Sequence, residues 1–288
     1  MFKRWQMLAL LAIVAVAGTA TVASADRGRV KSGGEAKAAE RLFTLQPDPA
    51  GNPEGVAFDK QSKAFFVSIT ADGAIYRGTL ASDTVAPFIP GAAGRAAIGL
   101  KVRDGKLYVA GGPTGTITVY DLATRQAVAE FQTGTGGFLN DLVVTGRGDV
   151  FLTDSFRPIL WHVTAEQVQA GSGTPQALDV SAIPFEAGQF NLNGIASEGS
   201  RRLVVVDSNS GRLFRIELGD DQSSIRAIDE IQGATVPGGD GLLLDRGRLV
   251  VVQGKPRSAV APQAARRRTP GDAPGHADER PSPRPVHG

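Results

Sequence analysis

Residues 138–152 read FLNDLVVTGRGDVFL, and much of the remaining chain repeats this pattern. Asn140 and Asp141 stand before an apolar strand, a glycine-rich turn follows at residues 146–148, and a second strand begins at Val150. An apolar run, a glycine turn and a second apolar run are typical of a β-hairpin. The sequence therefore predicts a hairpin with polar residues at its beginning.

Five copies of this phrase occur along the chain, beginning GVAFD, GLKV, DLVV, NGIAS and DGLLLD. The aligned positions 55, 99, 141, 194 and 241 are 44, 42, 53 and 47 residues apart. The first four copies continue with further short strands separated by glycine-containing turns, and with a looser fourth strand such as residues 126–131. Four strands in a period of this length predict an all-β fold of β-propeller architecture. A β-sandwich is the competing all-β fold, but it gives no reason for the phrase to recur.

The segment before the repeats has the composition of a targeting sequence. Lys3 and Arg4 precede an apolar run at residues 8–17, and Ala23-Ser24-Ala25 forms an A-x-A cleavage site. We therefore predict a cleaved signal peptide at residues 1–25, a secreted or extracytoplasmic protein and no membrane contact after cleavage. An uncleaved membrane anchor is the alternative. Residues 26–40 are small and polar, which predicts a flexible leader before a propeller domain at residues 41–253.

The segment after the repeats, residues 254–288, has a different composition. It contains seven prolines, an Arg266-Arg267-Arg268 run and few large apolar side chains, so it predicts a disordered basic tail. The fifth copy ends after its first two strands, which leaves about four and a half blades, and an incomplete ring exposes sheet edges. We expect either a frameshifted end or a native tail, with the ring closed by another chain.

Net charge and cysteine content exclude several classes of function. Residues 26–253 carry 22 basic and 26 acidic residues, because the signal and the tail hold nine of the 31 basic and three of the 29 acidic residues. The predicted propeller is therefore mildly acidic, and the basic balance of the whole chain does not indicate nucleic-acid binding. There is no cysteine, so neither disulfides nor a lipid-anchored cysteine can form.

One position of the repeat carries a side-chain oxygen in four of its five copies. The residues at this position are Glu54, Ile98, Asn140, Asn193 and Asp240. The innermost strand of a propeller blade lines the central channel, so the residues just before it are expected to meet at the channel mouth. Carboxylate and amide oxygens suit Ca²⁺ best, with Mg²⁺ or Mn²⁺ as alternatives. Zinc is disfavoured because the repeats contain a single histidine, His162. Each residue taken alone fits an ordinary turn.

The motifs around these four residues resemble a known family. PEGVAF, the Asn-Asp of FLND, LNGIA and GDG are similar to the metal-binding signature of the senescence marker protein, gluconolactonase and luciferin-regenerating enzyme family. The resemblance covers about residues 42–253. It implies a six-bladed propeller, here incomplete, with Glu54, Asn140, Asn193 and Asp240 around a divalent ion and with sugar-lactone hydrolysis as the activity. Paraoxonases and diisopropyl fluorophosphatase use a similar set, so the signature defines the site better than the substrate.

The sequence also departs from this family at one position. Animal sugar lactonases place an arginine two residues before the first Asn, where this chain has Phe138. A more apolar ester or lactone is therefore expected as the small-molecule substrate. The resemblance points to Asp240 as the base that takes a proton from water, with Asp141 as the alternative. Asp141 can instead bond the backbone at the start of its strand.

These observations lead to two classes of function. The first is an exported, calcium-dependent hydrolase of lactones or esters, with an arylesterase or phosphotriesterase as its variant. The second is a non-catalytic propeller that binds a ligand or a protein and in which the ion is structural. Asp154-Ser155 and Asp207-Ser208 recur at the ends of second strands and predict turn or inter-blade hydrogen bonds. A structural role is also expected for His162.

Overall fold

The computed structural model describes residues 41–254. The predicted signal peptide, leader and basic tail lie outside the described residues, apart from Gly254. The described chain is all-β and propeller-like, with one short helix. The predicted fold class is therefore confirmed, and the repeating hairpins seen in the sequence are its structural unit.

Each repeat forms one antiparallel sheet, called a blade here. Blade 1 contains β2 (Pro53–Asp59), β3 (Ala64–Ile69), β4 (Ile75–Thr79) and β5 (Thr84–Ile89), with the preceding β1 (Thr44–Leu45) parallel to β5. Blade 2 contains β6 (Leu100–Arg103), β7 (Lys106–Ala110), β8 (Thr116–Asp121) and β9 (Ala127–Gln132). Blade 3 contains β10 (Leu139–Val144), β11 (Val150–Asp154), β12 (Ile159–Val163) and β13 (Gln176–Asp179), with helix α1 (Ala165–Ala170) before β13. Blade 4 contains β14 (Leu192–Glu198), β15 (Arg202–Asp207), β16 (Arg212–Leu218) and β17 (Ile225–Thr235). Blade 5 contains β18 (Gly239–Asp245) and β19 (Arg248–Gln253).

The first strand of each repeat is the innermost strand of its blade. Strands β2, β6, β10, β14 and β18 contact one another in this order, so they form a continuous inner row. The row is joined by backbone hydrogen bonds such as the one that the amide of Gly99 donates to the carbonyl oxygen of Asn140 at 2.9 Å. The strand starts of successive repeats therefore lie at the same end of the row.

Most of the hydrophobic core lies between neighbouring blades, and one further cluster, which includes Phe65 and Tyr76, belongs to blade 1 alone. Phe66 of blade 1 packs with Leu107 of blade 2, and Ile117 of blade 2 packs with Leu152 of blade 3. Phe151 continues this pattern against blade 4, while Val206 packs against blade 5. Because each sheet buries apolar side chains on its neighbours, blade contacts are the main source of stability.

Helix α1 explains the longest spacing between repeats. The sequence did not predict this helix, which lies between β12 and β13 in the 53-residue interval from position 141 to position 194. Thr164 caps its N-terminus, Gln167 completes a capping box, and Gly171 ends the helix in a left-handed conformation. The insertion therefore lengthens the loop between two strands and leaves the register of blade 3 unchanged.

The two ends of the row have uncovered apolar side chains. Phe58 on β2 is 43% exposed, and Leu243 and Val250 in blade 5 are 55% and 51% exposed. Blade 5 has two strands within the described residues, as the sequence predicts. The only helix within residues 41–254 has six residues, and none there is long and apolar enough to cross a membrane.

Candidate functional site

A β-bulge lies at the beginning of the inner strand in four blades. In each of them two residues on the inner strand face one on the second strand, as residues 140 and 141 between the pairs Leu139–Asp154 and Leu142–Leu152 face Thr153. The residue pairs inside the four bulges are 54–55, 140–141, 193–194 and 240–241. Every predicted oxygen ligand is therefore the first residue of a bulge. Bulges redirect a side chain away from the regular alternation of a strand, which makes these positions suitable for a shared site.

Glycine at the second bulge position allows the blades to come close together. A Cβ on Gly194 would lie 2.0 Å from the carbonyl oxygen of Asp240, and one on Gly55 would lie 2.3 Å from that of Ile98. Gly99 has the same relation to the carbonyl oxygen of Asn140 at 2.7 Å. The backbones of Asn140 and Asp240 are thus each seated against a glycine of the preceding blade, which fixes their spacing from that blade.

Two buried hydroxyl groups strengthen these contacts. Ser68 Oγ accepts a hydrogen bond from the amide of Gly55 at 2.7 Å and donates to the carbonyl oxygen of Ile98 at 2.6 Å. Thr153 Oγ1 accepts from the amide of Asp141 at 3.2 Å and donates to the carbonyl oxygen of Asn193 at 2.6 Å. Each hydroxyl therefore links the bulge of its own blade to the start of the next blade's inner strand.

Asn140 is buried, and its side chain has a fixed orientation. Its amide nitrogen donates to Ser155 Oγ at 2.9 Å, and Ser155 Oγ donates to the carbonyl oxygen of Leu192 in blade 4 at 2.6 Å. Since the nitrogen is occupied by Ser155, the amide oxygen is the atom left to meet a cation. Serine was predicted here as part of a recurring Asp-Ser pair, and its inter-blade hydrogen bond is confirmed.

Negative charge from different blades accumulates around Glu54. The pKa of Glu54 is raised to about 8: burial is the largest cause, the carboxylates of Asp240 and Asp141 add to it, and Lys101 opposes it. Part of Glu54 remains accessible to solvent although protein atoms surround most of it, and two acidic groups of other blades act on it in the same direction, so charge as well as burial raises its pKa. Blades 1, 3 and 5 therefore bring their carboxylates into one electrostatic cluster.

Asp240 belongs to the same cluster. Burial and the neighbouring Asp141 raise its pKa, whereas hydrogen bonding with the side chain of Asn193 lowers it. Asn193 is half-buried, as is Asp240. The interaction with Asn193 joins blades 4 and 5 at the site. The four predicted residues thus all lie at the starts of inner strands in the same row.

Asp141 is held by its surroundings more tightly than Glu54 and Asp240, the other acidic residues of this cluster. Its Oδ1 accepts from the amide of Leu142 at 2.8 Å and from Lys101 Nζ at 3.2 Å, and its Oδ2 accepts from the amide of Ile195 at 3.3 Å. Both oxygens are therefore occupied, in agreement with the backbone role that the sequence indicated as an alternative for this residue.

Lys101 also belongs to this cluster, although the sequence did not mark it as a site residue. It lies on β6 with its side chain 31% exposed and forms an ion pair with Asp141. The corresponding residues of the other inner strands are apolar: Ala57, Val143, Ala196 and Leu243. A lysine at a repeat position that is otherwise apolar could have identified it from the sequence. This lysine supplies positive charge to the acidic cluster.

Three phenylalanine rings lie beside the bulge of blade 3. The ring centroids of Phe138 and Phe190 are 5.1 Å apart, those of Phe156 and Phe190 4.8 Å, and those of Phe138 and Phe156 5.7 Å. Only Phe138 was singled out in the sequence. The three rings come from segments that are distant in sequence, which is why the cluster could not be predicted.

The other side chains considered in the sequence have structural partners. His162 is buried, stacks on Phe151 and contacts Asp149 Oδ2 through Nε2 at 2.8 Å. The carboxylate of Asp207 accepts from the amide of Asn209 at 2.9 Å, and Ser208 donates to the carbonyl oxygen of Gly239 in blade 5. The structural role predicted for His162 and the turn and inter-blade bonds predicted for the second Asp-Ser pair are confirmed.

The donor set fits a hard divalent cation by its chemistry. The four bulge residues offer two carboxylates and two amide oxygens, and the raised pKa values of Glu54 and Asp240 show that their negative charge is incompletely balanced. Within residues 41–254, no group of three or more His, Cys, Asp or Glu side chains is placed to hold a metal ion. Amide oxygens from Asn140 and Asn193 would therefore be needed to complete any such site.

A separate cleft of about 490 Å³ lies between blades 1 and 2. It is lined by residues that include Asp59, Arg77 and Arg125. Asp59 is at the end of β2, whereas Glu54 is at its beginning, so the cleft is at the opposite end of the inner strand. The carboxylate of Asp59 is occupied by the amides of its own turn, and no candidate ligand lines this cleft.

No protein-family model matches the sequence, and no curated protein matches it either. Solved structures with a similar fold include U3-55K (14% identity, TM-score 0.53, 70% of this chain and 61% of that one) and a protein from Lactobacillus plantarum (13% identity, TM-score 0.50, 70% of each chain). Hydrazine synthase from Kuenenia stuttgartiensis is also similar (10% identity, TM-score 0.49, 69% of this chain and 54% of that one). The chain thus spans less than two thirds of the length of two of these structures. At such low identity the likeness concerns the fold alone.

Proposed function

We propose that the protein is an exported hydrolase of lactones or esters that depends on a divalent cation, most suitably Ca²⁺. The observation that carries this proposal is the convergence of Glu54, Asp240 and Asp141 from three blades into one cluster of coupled negative charge. Clustered carboxylates are costly unless a cation lies among them. Export is inferred from the composition of residues 1–25, and the substrate is a small molecule rather than a nucleic acid.

Four residues would hold the cation: Glu54, Asn140, Asn193 and Asp240. A bound cation would polarise the carbonyl oxygen of the substrate as a Lewis acid. Protein oxygens from four residues are fewer than the six to eight that Ca²⁺ takes, so positions remain for water and substrate. Mg²⁺ and Mn²⁺ are alternatives because they also prefer oxygen ligands.

Asp240 is the favoured general base. It is half-buried, and its side chain hydrogen-bonds that of Asn193. Asp141 is less suited to this role because the amides of Leu142 and Ile195 occupy its oxygens. We therefore assign Asp141 to positioning Lys101 and the neighbouring inner strands.

The reaction would balance as a simple hydrolysis. Asp240 takes a proton from water, the water oxygen forms a bond to the acyl carbon, and the bond between that carbon and the leaving oxygen breaks. The proton on Asp240 passes to the leaving oxygen, which gives an acid and an alcohol, or a hydroxy acid from a lactone. No co-reactant other than water is required.

The experiment that tests this proposal compares hydrolysis with folding. Purified protein is assayed on δ-valerolactone, 4-nitrophenyl acetate and a phosphotriester, with Ca²⁺ or with a chelator, while circular dichroism monitors the fold. Loss of hydrolysis on chelation with an intact fold supports the enzyme. Loss of the fold, with no hydrolysis of any substrate, supports instead a binding propeller with a structural ion. Preferential hydrolysis of the aryl ester or the phosphotriester would support the arylesterase or phosphotriesterase variant.

Asp240→Asn tests the assigned base. We expect kcat to fall by about 10²-fold or more, the usual contribution of a general base. Asp245→Asn is the matched control, because Asp245 is exposed at the other end of the same strand. Unchanged turnover in Asp240→Asn would remove Asp240 from the mechanism.

A further inference from the structure

The three phenylalanine rings beside blade 3 form an exposed apolar surface, called the Phe cluster here (Phe138, Phe156 and Phe190). Phe156 and Phe190 are each 40% exposed, and Phe138 is partly buried. Soluble proteins seldom expose several large aromatic side chains packed on one another. Exposed apolar area of this kind commonly marks a binding site.

The Phe cluster is directly connected to a candidate ligand of the cation. Phe138 is two residues before Asn140, and Phe156 follows Ser155, the hydrogen-bond partner of the Asn140 amide. Ser155 also accepts on its backbone oxygen a hydrogen bond from the amide of Asn191, next to Phe190. The rings and the candidate site therefore share one hydrogen-bonded framework.

The backbone that carries the rings is fixed by buried polar side chains. Asp154 Oδ1 accepts from the amides of Phe138 at 2.9 Å and Phe156 at 3.1 Å. Asn191 is buried and bonds to both backbone groups of Glu186 and to the carbonyl oxygen of Gln189, which precedes Phe190. A rigid backbone reduces the entropy lost when a ligand binds to the rings.

The charged groups near the Phe cluster are already paired. Arg157 forms an ion pair with Asp154 at 2.7 Å, and Lys101 is paired with Asp141. Glu186, in the loop before Phe190, adds negative charge and accepts from Asn209. This arrangement favours an uncharged apolar group over an anionic or polyhydroxylated one.

We propose that the Phe cluster binds the apolar acyl chain or ring substituent of the substrate, so that the preferred substrates are alkyl-substituted lactones and medium-chain esters. This inference rests on the proposed hydrolase function, since it names the substrate class of the same site. The chain lies on the Phe cluster while the reacting carbonyl group lies by Asn140. Each methylene buried on the rings is expected to raise kcat/KM two- to fourfold.

The test uses 4-nitrophenyl esters from acetate to octanoate on the Ca²⁺-loaded protein. We expect kcat/KM of the unchanged protein to rise with chain length, and the rise to be lost in the double variant Phe156→Ala and Phe190→Ala. Phe58→Ala is the matched control, because Phe58 is similarly exposed on β2, away from the Phe cluster, and should keep the rise. A rise that persists in the double variant, or that is absent from the unchanged protein, overturns the inference.

A second measurement does not depend on catalysis. The uncharged dye N-phenyl-1-naphthylamine is titrated into the chelator-treated protein, and its fluorescence reports apolar binding. We expect its Kd to increase at least tenfold in the double variant and to stay unchanged in Phe58→Ala. Loss of dye binding in Phe58→Ala alone would place the apolar site on blade 1 and overturn the inference.

The two proposals fail in different ways. Hydrolysis without any dependence on chain length contradicts the role of the Phe cluster and leaves the hydrolase proposal standing. Dye binding that is lost only in the double variant, with no ester or lactone hydrolysed, contradicts the hydrolase and supports an apolar binding site.

Discussion

Ser155 lies 2.9 Å from the amide nitrogen of Asn140 and uses its own proton to bond the carbonyl oxygen of Leu192 in the next blade. This one hydroxyl group therefore orients a candidate ligand and joins two blades. Its equivalent in blade 4 is Ser208, whose hydroxyl bonds only to the backbone of blade 5. Replacing Ser155 and Ser208 in turn therefore separates the effect of orienting the ligand from the effect of joining two blades.

We predict that Ser155→Ala weakens Ca²⁺ binding about tenfold or more, because the amide of Asn140 loses the group that keeps its oxygen available. The lost hydrogen bonds should also lower the free energy of unfolding by about 1–3 kcal/mol. Ser208→Ala should lower the free energy of unfolding similarly and leave Ca²⁺ affinity unchanged. Calorimetric titration and chemical denaturation measure the two quantities, and equal affinities in both variants would contradict the assigned role of Ser155.

Ca²⁺ affinity should increase with pH up to about pH 8. The pKa of Glu54 in the metal-free protein is about 8, so this carboxyl group is mostly protonated at neutral pH and must lose its proton to bind a cation. We expect up to a tenfold gain in affinity per pH unit between pH 6 and pH 8. Titrations in buffers of different ionisation enthalpy should show about one proton released, and release of none at pH 6.5 would contradict the prediction.

Whereas Ca²⁺ affinity should increase with pH, the same pKa shift should make the metal-free protein less stable as the pH rises. The folded-state pKa of Glu54 exceeds its ordinary value of 4.5, so the unfolded chain loses this proton first as the pH rises. The contribution of Glu54 to stability is therefore most favourable below about pH 4.5 and declines as the pH rises towards 8. Melting curves of the unchanged protein and Glu54→Gln, both in chelator, isolate this effect; the variant should lack the decline.

Lys101→Met should strengthen cation binding. Lys101 carries a positive charge close enough to lower the pKa of Glu54, and the same charge repels a divalent ion. We expect a decrease in the Kd for Ca²⁺ of roughly tenfold, or about 1.4 kcal/mol. Lys106→Met, at the other end of the same hairpin, is the control and should leave the Kd unchanged. Weaker binding in Lys101→Met would indicate that the ion pair with Asp141 maintains the site.

Gly194→Ala should destabilise the protein, whereas Gly241→Ala should be tolerated. A Cβ at position 194 would lie 2.0 Å from the carbonyl oxygen of Asp240, but at position 241 the nearest atom is 3.7 Å away. We expect a loss of roughly 2 kcal/mol or more for Gly194→Ala, because a backbone atom must move. Chemical denaturation measures the loss, and similar values for the two variants would show that blade contact at Gly194 is not tight.

The repeat in the sequence was sufficient to predict the fold. A propeller blade is made of neighbouring strands in chain order, so its hairpins appear in the sequence as apolar runs separated by glycine turns. Helix α1 was not predicted, because a six-residue helix with one buried apolar residue, Val168, leaves almost no periodic signal. The two-stranded blade 5 was evident from the end of the pattern at Gln253.

The candidate ligands could be aligned because each occupies the same place in its repeat. Glu54, Asn140, Asn193 and Asp240 follow from register, which is a local property of the chain. Lys101 and the Phe cluster belong to no shared register, and their importance depends on which groups they meet across blades. Hydrogen bonds such as the one between Ser155 and Asn140 likewise depend on tertiary packing.

The strands, their turns and the repeat position that carries a side-chain oxygen in four of five copies could all be read from the sequence, since each depends on neighbours along the chain. Tertiary packing was needed to show that backbone amides occupy Asp141, that the carboxylates of blades 3 and 5 raise the pKa of Glu54 in blade 1, and that three phenylalanines form one surface. These relationships act through space between residues far apart in the chain, and no local pattern records the distance between them.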